Sequence, residues 1–308
     1  MTKKYLALGL AGPHLIELTQ SPALMARWDT LPVAFSVLGI DRVDGSPVAP
    51  VTLASSAVGA TLAGATRHGR FLITATPQRD HPYNIARRVA SLAHLSKGRS
   101  GLLLGTRDPY APHGPGVGAP AVAGSGLGRD LPLTAQTAYD AAFAVRALEQ
   151  SWPYDTIVGD REKGILVESN RIVRVDINNA FSIAGPLNIP ESPFGPSVLA
   201  WYAASAGDLP REGVGQPIDL VLGAEGTWPV VTMGAEPPER HLDGIVLRPR
   251  LEQSVDGLLD IAERWLSRDF TAIPVGGSLR EALDLAAPPP LSPTLPAVFA
   301  EPQPHASL

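Results

Sequence analysis

The sequence predicts an α/β fold built on a mainly parallel sheet. Short apolar runs recur along the chain, separated by longer segments of helical or loop character, which is the pattern of parallel α/β proteins. Of the 308 residues, 44% are hydrophobic and 18% are charged, so the chain can bury one large core. This length is common among single α/β barrels, and we expect one domain over residues 1 to 287.

Short apolar runs predict the strands of this sheet. They run from Tyr5 to Leu10, Val33 to Leu38, Arg70 to Ala75, Gly101 to Gly105, Val198 to Tyr202, Ile218 to Leu222, Pro229 to Met233 and Asp243 to Leu247. Eight strands are therefore predicted.

Four segments have the apolar spacing and end signals of helices. The clearest runs from Pro82 to Ser96, with a proline suited to the first turn and a glycine after the last. A second extends from about Thr134, a predicted N-cap, towards Trp152. A third covers 254 to 265, and a short fourth begins at Ser278 with the spacing of a capping box.

Three stretches depart from a regular alternation of strand and helix. Residues 107 to 133 are rich in glycine and proline and predict a long mobile loop, whereas residues 154 to 197 predict an inserted hairpin-like segment. Only six residues separate the predicted strands that end at Leu222 and begin at Pro229, although parallel neighbours normally need a dozen or more. The C-terminal third is therefore predicted to have missing or degenerate helices. Residues 288 to 308 are expected to form a flexible Pro-rich tail.

The amino-acid composition bears on which partners, metals and cellular location are expected. The net charge is −5 with scattered Lys and Arg, so no nucleic-acid partner is expected. No apolar stretch of roughly 18 residues is present, which excludes a predicted membrane span. The absence of cysteine agrees with a cytoplasmic protein, and the seven histidines show no metal-ligand spacing, so no metal is expected.

Three blocks of sequence carry a resemblance to a known family. The first is FLITATPQRDHPYNIARRVASLAHLSKGRSG at 71 to 101, the second includes RALEQSW, GDREKG and FSIAGPLNIPESPFG between 146 and 195, and the third pairs DGIVLRPR with SLREALDL between 243 and 285. These blocks resemble bacterial luciferase-like flavin-dependent monooxygenases of the nitrilotriacetate and dibenzothiophene-sulfone monooxygenase branch. They follow the family order and cover about half the chain.

The resemblance implies a shortened (β/α)8 barrel of the TIM type and a flavin-dependent monooxygenase activity. Family members use reduced FMN, supplied by a separate reductase, to activate oxygen at the C-terminal mouth of the barrel and oxygenate a small organic substrate. The short chain is similar to the small subunit of the pristinamycin-type streptogramin synthase. A homodimer, or a heterodimer with a larger luciferase-like subunit, and a role in secondary metabolism are therefore expected.

The same resemblance indicates candidate cofactor-binding residues at strand ends. Thr74 and Thr76 keep two hydroxyls where the family has Thr-x-Ser-Thr. Thr106 is retained after the fourth strand, and Ser205 after the fifth can bind phosphate oxygens. The two threonines of the third strand are equally suited to fixing a loop.

Two candidate catalytic residues lie near these positions. His81 precedes a predicted helix and is either a catalytic group or a helix cap. Arg107 stands where the family has a small hydroxyl and can bind a phosphate or a carboxylate. Leu103, Ala135 and Trp201 replace other residues that contact flavin in the family.

These replacements leave alternatives open. The chain is predicted to be an FMNH₂-dependent monooxygenase, alone or as the small subunit of a two-subunit enzyme. Alternatively, it is a catalytically silent subunit that stabilises a larger homologue, or a barrel used for another reaction or for ligand binding.

Overall fold

Eight parallel strands form a nearly closed barrel in the computed structural model. The structure describes residues 4–110, 134–209, 217–291 and 294–299, so most of the predicted Gly/Pro loop lies outside the described residues. The strands are β1 Tyr5–Leu10, β2 Ser36–Leu38, β3 Phe71–Ala75, β4 Ser100–Leu104, β5 Ile157–Asp160, β6 Ile165–Val167, β7 Asp176–Asn178, β8 Ser182–Ala184, β9 Val198–Tyr202, β10 Leu220–Leu222, β11 Val230–Thr232 and β12 Gly244–Arg248.

The helices are concentrated in the first half of the chain. They are α1 Gly12–Gln20, α2 Pro22–Thr30, α3 Ser55–Ala65, α4 Pro82–Ser96, α5 Ala135–Glu149, α6 Val255–Leu266 and the short α7 Leu279–Ala282.

The order of strands in the sheet follows the chain. It reads β10, β9, β4, β3, β2, β1, β12, β11, with every neighbouring pair parallel. The two ends meet through an isolated parallel bridge between Leu222 and Trp228, where the amide of Gly223 donates to the carbonyl of Trp228 at 3.0 Å. This bridge gives the barrel its near closure, and all eight predicted strands are confirmed.

The four predicted helices are also confirmed, and so are the caps predicted at Thr134 and Ser278. Helix α4 has the predicted bounds, and the hydroxyls of Thr134, Ser254 and Ser278 accept hydrogen bonds from the first turns of α5, α6 and α7. Helices α1 to α3 were not predicted. In α3 the sequence SSAVGATLAGA consists mostly of small residues, so it lacks the alternation of large apolar and charged positions by which a helix is recognised.

The C-terminal third has lost helices between β9 and β12, as predicted, and keeps α6 and the short α7 after β12. Only seven residues join β10 to β11, and the described parts of the connections from β9 to β12 contain a single 3₁₀ turn and no α-helix. Gly226 makes the short β10–β11 connection possible, since a Cβ there would lie 2.1 Å from the carbonyl oxygen of Val221.

The inserted segment consists of two hairpins, as predicted. Strands β5 and β6 pair antiparallel, and so do β7 and β8. Part of the Pro-rich tail rests on this insertion, because Val173 bridges Ala297 and the amide of Val298 donates to Ile172. The single domain over 1 to 287 and the flexible tail over 288 to 308 both stay predictions.

One buried carboxylate ties α5, α7 and the barrel together. Asp219 precedes β10 and accepts hydrogen bonds from Arg146 at 2.8 Å, Arg280 at 2.8 and 2.9 Å, and the amide of Leu199 at 2.8 Å. Both arginine side chains are at least nine-tenths buried. Such a network needs all its members, because removing one leaves buried charge without compensation. Within the described residues, no helix has the length and apolar character needed to cross a membrane.

Candidate functional site

The carboxyl ends of the barrel strands are the usual location of an active site in this architecture. Here a turn that follows β2, residues 40 to 44, folds back over that end. Gly39 permits the reversal because its φ is +79°, a conformation that other residues adopt at a cost. Ile40 and Val43 are buried and belong to the same packed cluster as Leu103 and Tyr202 inside the barrel. We call residues 40 to 44 the plug.

The plug contacts strands on both sides of the barrel. A Cβ at Gly105, just after β4, would lie 2.5 Å from Cγ1 of Val43, so the valine rests directly on that glycine. The carboxylate of Asp44 forms an ion pair with Arg248 of β12, and both side chains are largely buried. The hydroxyl of Tyr202 on β9 donates to the carbonyl of Asp44 at 3.4 Å.

The residues after β4 hold the plug in place. The guanidinium of Arg42 donates to Asp108 at 2.6 Å, and both side chains are more than nine-tenths buried. The hydroxyl of Tyr110 donates to Asp41 at 2.6 Å and accepts from the amide of Ala49 at 2.7 Å. Burial, aided by the hydrogen bond to Asp41, raises the pKa of the Tyr110 hydroxyl to about 12. Tyr110 is therefore a neutral donor that fixes the plug at physiological pH.

The plug fills the centre of the barrel mouth, where the family resemblance implies a flavin. Val43 covers Gly105, and Tyr202 and Arg248 contact Asp44, so side chains lie on the barrel axis. Leu103 points into the same core and is fully buried. Of the two aromatic residues at the end of β9, Tyr202 fills the mouth, while Trp201 packs outside the barrel against Tyr139.

A polar pocket lies beside the plug, between the N-terminal ends of α3 and α4. Its volume is about 310 Å³. The lining combines hydroxyl and charged groups with a few small apolar side chains. The residues are Arg42, Ala54, Ser55, Ser56, Ile73, Thr74, Ala75, Thr76, Arg79, Asp80, Ile85, Arg88 and Asp108.

Two of the predicted cofactor-binding residues line this pocket. Thr74 is buried, and its hydroxyl donates to the carbonyl of Leu38 at 3.1 Å, so it fixes the end of β2. Thr76 is 2% exposed, and its hydroxyl has no hydrogen-bond partner among the described residues. Their proposed contact with a flavin stays a prediction.

The other four predicted site residues lie outside the pocket lining. His81 caps α4, with Nδ1 accepting from the amide of Tyr83, and burial lowers its pKa. Arg107 is exposed. The buried hydroxyl of Thr106 has no partner among the described residues, and Ser205 is exposed and binds Asp208 at 2.8 Å. Their catalytic and flavin-binding roles also stay predictions.

No sequence pattern predicts the plug or the arginines of the pocket. Asp41 to Asp44 follow a strand without any known motif, and their partners Gly105, Tyr202 and Arg248 lie far along the chain. The glycines at 39 and 105 were the only local signal, since each marks close approach or an unusual backbone angle. Across the described ranges, no group of three or more His, Cys, Asp or Glu side chains is placed to hold a metal ion.

Comparison with known proteins finds relatives that match part of the chain. No protein-family model matches the chain. It is 30% identical over 161 residues to N-acetyl-S-(2-succino)cysteine monooxygenase of Bacillus subtilis, a match that covers 52% of this chain and 33% of that protein. It is also 30% identical over 154 residues to one subunit of the pristinamycin IIA synthase of Streptomyces pristinaespiralis, covering 49% and 47%. Relatives named as monooxygenases of the luciferase-like flavin-dependent kind therefore match about half of this chain.

A solved structure has the same fold. The EDTA monooxygenase of Chelativorans sp. BNC1 superposes with a TM-score of 0.58 at 15% identity, over 92% of this chain and 99% of that one. The matched segments span only a third to a half of the curated relatives. The chain therefore shares the barrel fold with the EDTA monooxygenase, and the plug lies across the mouth of its own barrel.

Proposed function

We propose that this chain is a subunit of a flavin-dependent monooxygenase in which a larger luciferase-like partner holds the reduced FMN. The plug is the observation that carries the proposal. Because Val43, Asp44 and Tyr202 fill the barrel mouth, we infer that the isolated chain does not hold the flavin ring on its axis. The redox chemistry then belongs to the partner, which uses a small organic substrate.

The way the plug is held supports a structural role for this barrel. Opening the mouth requires breaking the buried pair of Arg42 and Asp108, and the Tyr110 hydrogen bonds with Asp41 and Ala49. Separating a buried ion pair is costly, so thermal motion rarely opens the mouth. One matched relative, from the pristinamycin IIA synthase, is itself named as a subunit, which agrees with a two-chain enzyme.

The proposal is tested by comparing flavin binding of the chain alone with that of a complex. The purified chain and a co-expressed larger luciferase-like homologue from the same genome are titrated anaerobically with reduced FMN. We expect stable co-purification, saturable binding by the complex and none by the isolated chain up to about 100 μM. Stoichiometric binding of reduced FMN by the isolated chain, or failure of the two chains to associate, would contradict the proposal.

A pair of variants tests whether the plug causes the exclusion. Val43→Gly removes the side chain that rests on Gly105, whereas Val48→Gly makes the same change at a residue that is 58% exposed. Flavin binding gained by Val43→Gly and not by Val48→Gly identifies the plug as the barrier.

A further inference from the structure

We propose that the pocket between α3 and α4 binds the oxyanion group of a small ligand, a phosphate or a carboxylate. The pocket is lined by the start of α3 at Ser55 and Ser56, by Thr76 at the end of β3, and by three arginines. This inference does not depend on the proposed subunit role.

The N-terminus of α3 supplies an uncapped helix end. The N-cap residue is Ala54, which has no side-chain acceptor for the amides of the first turn. The nearest hydroxyl, that of Ser55, donates to the carbonyl of Thr74 at 2.8 Å. A helix of this length presents partial positive charge and free amide donors at its start, and both favour an anion.

Two buried polar groups independently indicate a missing acceptor. The hydroxyl of Thr76 has no partner among the described residues, and neither has Nε of Arg42, whose side chain is only 7% exposed. Both residues line the pocket. An unsatisfied buried donor is costly and uncommon, so two in one pocket indicate a ligand with several acceptor oxygens.

The charges of the pocket favour an anion. Three arginines face two carboxylates, and both carboxylates are already paired, Asp108 with Arg42 at 2.6 Å and Asp80 with Arg88 at 2.8 Å. Nη1 of Arg79 donates to the carbonyl of Tyr110 at 3.3 Å and lies 4.0 Å from Asp108, so the guanidinium keeps further N–H donors for a ligand. This local excess of positive charge contrasts with the net charge of −5 of the whole chain. The volume of about 310 Å³ admits a phosphate or a short dicarboxylate.

The test measures binding of inorganic phosphate and of succinate by isothermal titration to the full chain, with sodium chloride matched for ionic strength. We expect saturable binding of at least one of the two anions and no response to chloride. Comparison of the two Kd values then shows whether the pocket prefers a phosphate or a carboxylate. Absence of saturable binding of both anions would overturn the proposal.

Three single variants identify the site. Arg79→Gln removes the available guanidinium, and we expect the Kd to rise about tenfold. Thr76→Val removes the unpaired hydroxyl and keeps the shape, so the Kd should rise several-fold while the free protein keeps or gains thermal stability. Arg87→Gln is the control, because Arg87 lies on α4 outside the pocket lining.

The pattern of Kd values among the three variants distinguishes a specific anion site from non-specific electrostatic attraction. Weakening by Arg79→Gln and Thr76→Val with an unchanged Arg87→Gln supports the pocket. Equal weakening by all three, or no weakening by Arg79→Gln and Thr76→Val, would overturn it. A titration with FMN on the same samples separates this proposal from the subunit role. If the isolated chain binds FMN and phosphate competes with it, the proposed anion site is supported. The proposal that the isolated chain holds no flavin is then refuted.

Discussion

Val43 rests on Gly105 across the mouth of the barrel, with 2.5 Å between Cγ1 of the valine and the position of a Cβ on the glycine. The two residues come from β2 and β4 connections that are not adjacent around the barrel. This contact closes the side of the barrel where related enzymes are expected to bind their substrates.

The contact predicts that position 105 accepts no side chain. Gly105→Ala forces Val43 out of its place, and overpacking of this kind costs about 1 to 3 kcal/mol of unfolding free energy. Gly64→Ala on α3 is the control, because a Cβ there meets nothing within 4 Å and alanine favours a helix. Urea denaturation should show a lower unfolding free energy for Gly105→Ala and no decrease for Gly64→Ala. Equal stabilities would refute the packed plug.

The buried carboxylate of Asp219 should be essential for stability. Asp219→Ala leaves the buried guanidiniums of Arg146 and Arg280 without their acceptor, and we expect a loss of about 3 to 5 kcal/mol. Asp256→Ala is the comparison, because its ion pair with Arg27 is exposed and worth less than about 1 kcal/mol. Calorimetry of both variants measures the loss of unfolding free energy. Equal losses for Asp219→Ala and Asp256→Ala would show that the Asp219 network is not essential for stability.

Glu191 should make stability depend on pH. Burial, with the nearby Glu149 carboxylate, raises its pKa from 4.5 to about 7. The folded state therefore binds this proton more tightly than the unfolded state, and the resulting stability is complete below about pH 4.5 and lost as the pH rises to about 7. Glu191→Gln should match the wild type near pH 4.5 and exceed it at pH 8 by about 1 to 2 kcal/mol, allowing for partial exposure of the carboxylate.

Denaturation curves of Glu191→Gln at the two pH values provide the measurement. Glu162→Gln, at an exposed position of the insertion, removes the same formal charge and is the control. A stability difference for Glu191→Gln that stays constant with pH would show that the raised pKa is wrong.

The connection between β10 and β11 predicts a third sensitive position. Gly226→Ala places a methyl group 2.1 Å from the carbonyl oxygen of Val221, so the bridge between Leu222 and Trp228 must shift. We expect a fall in Tm of several degrees, as a cost of about 1 to 2 kcal/mol produces in a domain of this size. Gly207→Ala is the matched control, because its nearest neighbour is a side-chain oxygen at 3.7 Å. A Tm unaffected by Gly226→Ala would indicate that the bridge contributes little.

The elements of the barrel were predictable because their signals are local. The run from Val198 to Tyr202 is continuously apolar, as strands buried on both faces are, and the structure gives the same bounds. The cap at Thr134 and the capping box at Ser278 depend on residues three positions apart, so they too could be read directly. Helix α3 escaped recognition because its residues are small and carry little periodic contrast.

The site was less predictable because its contacts join distant parts of the chain. Thr74 and Thr76 could be found from the family resemblance, and both line the pocket. The role of Arg42 depends on Asp108, and that of Asp44 depends on Arg248 near the end of the barrel. Only the folded chain shows that these pairs occupy the mouth.

The seven-residue connection between β10 and β11 also bears on how the barrel assembles. Bringing two chain segments together costs entropy that grows with the length of the loop between them. The Leu222–Trp228 bridge closes one of the shortest possible loops between parallel strands, whereas pairing of β1 with β12 joins Tyr5 to Gly244 across most of the chain. The seam that usually requires a helical crossover is therefore closed between neighbours in sequence, and we expect it to pair before the two terminal strands, which lie far apart along the chain.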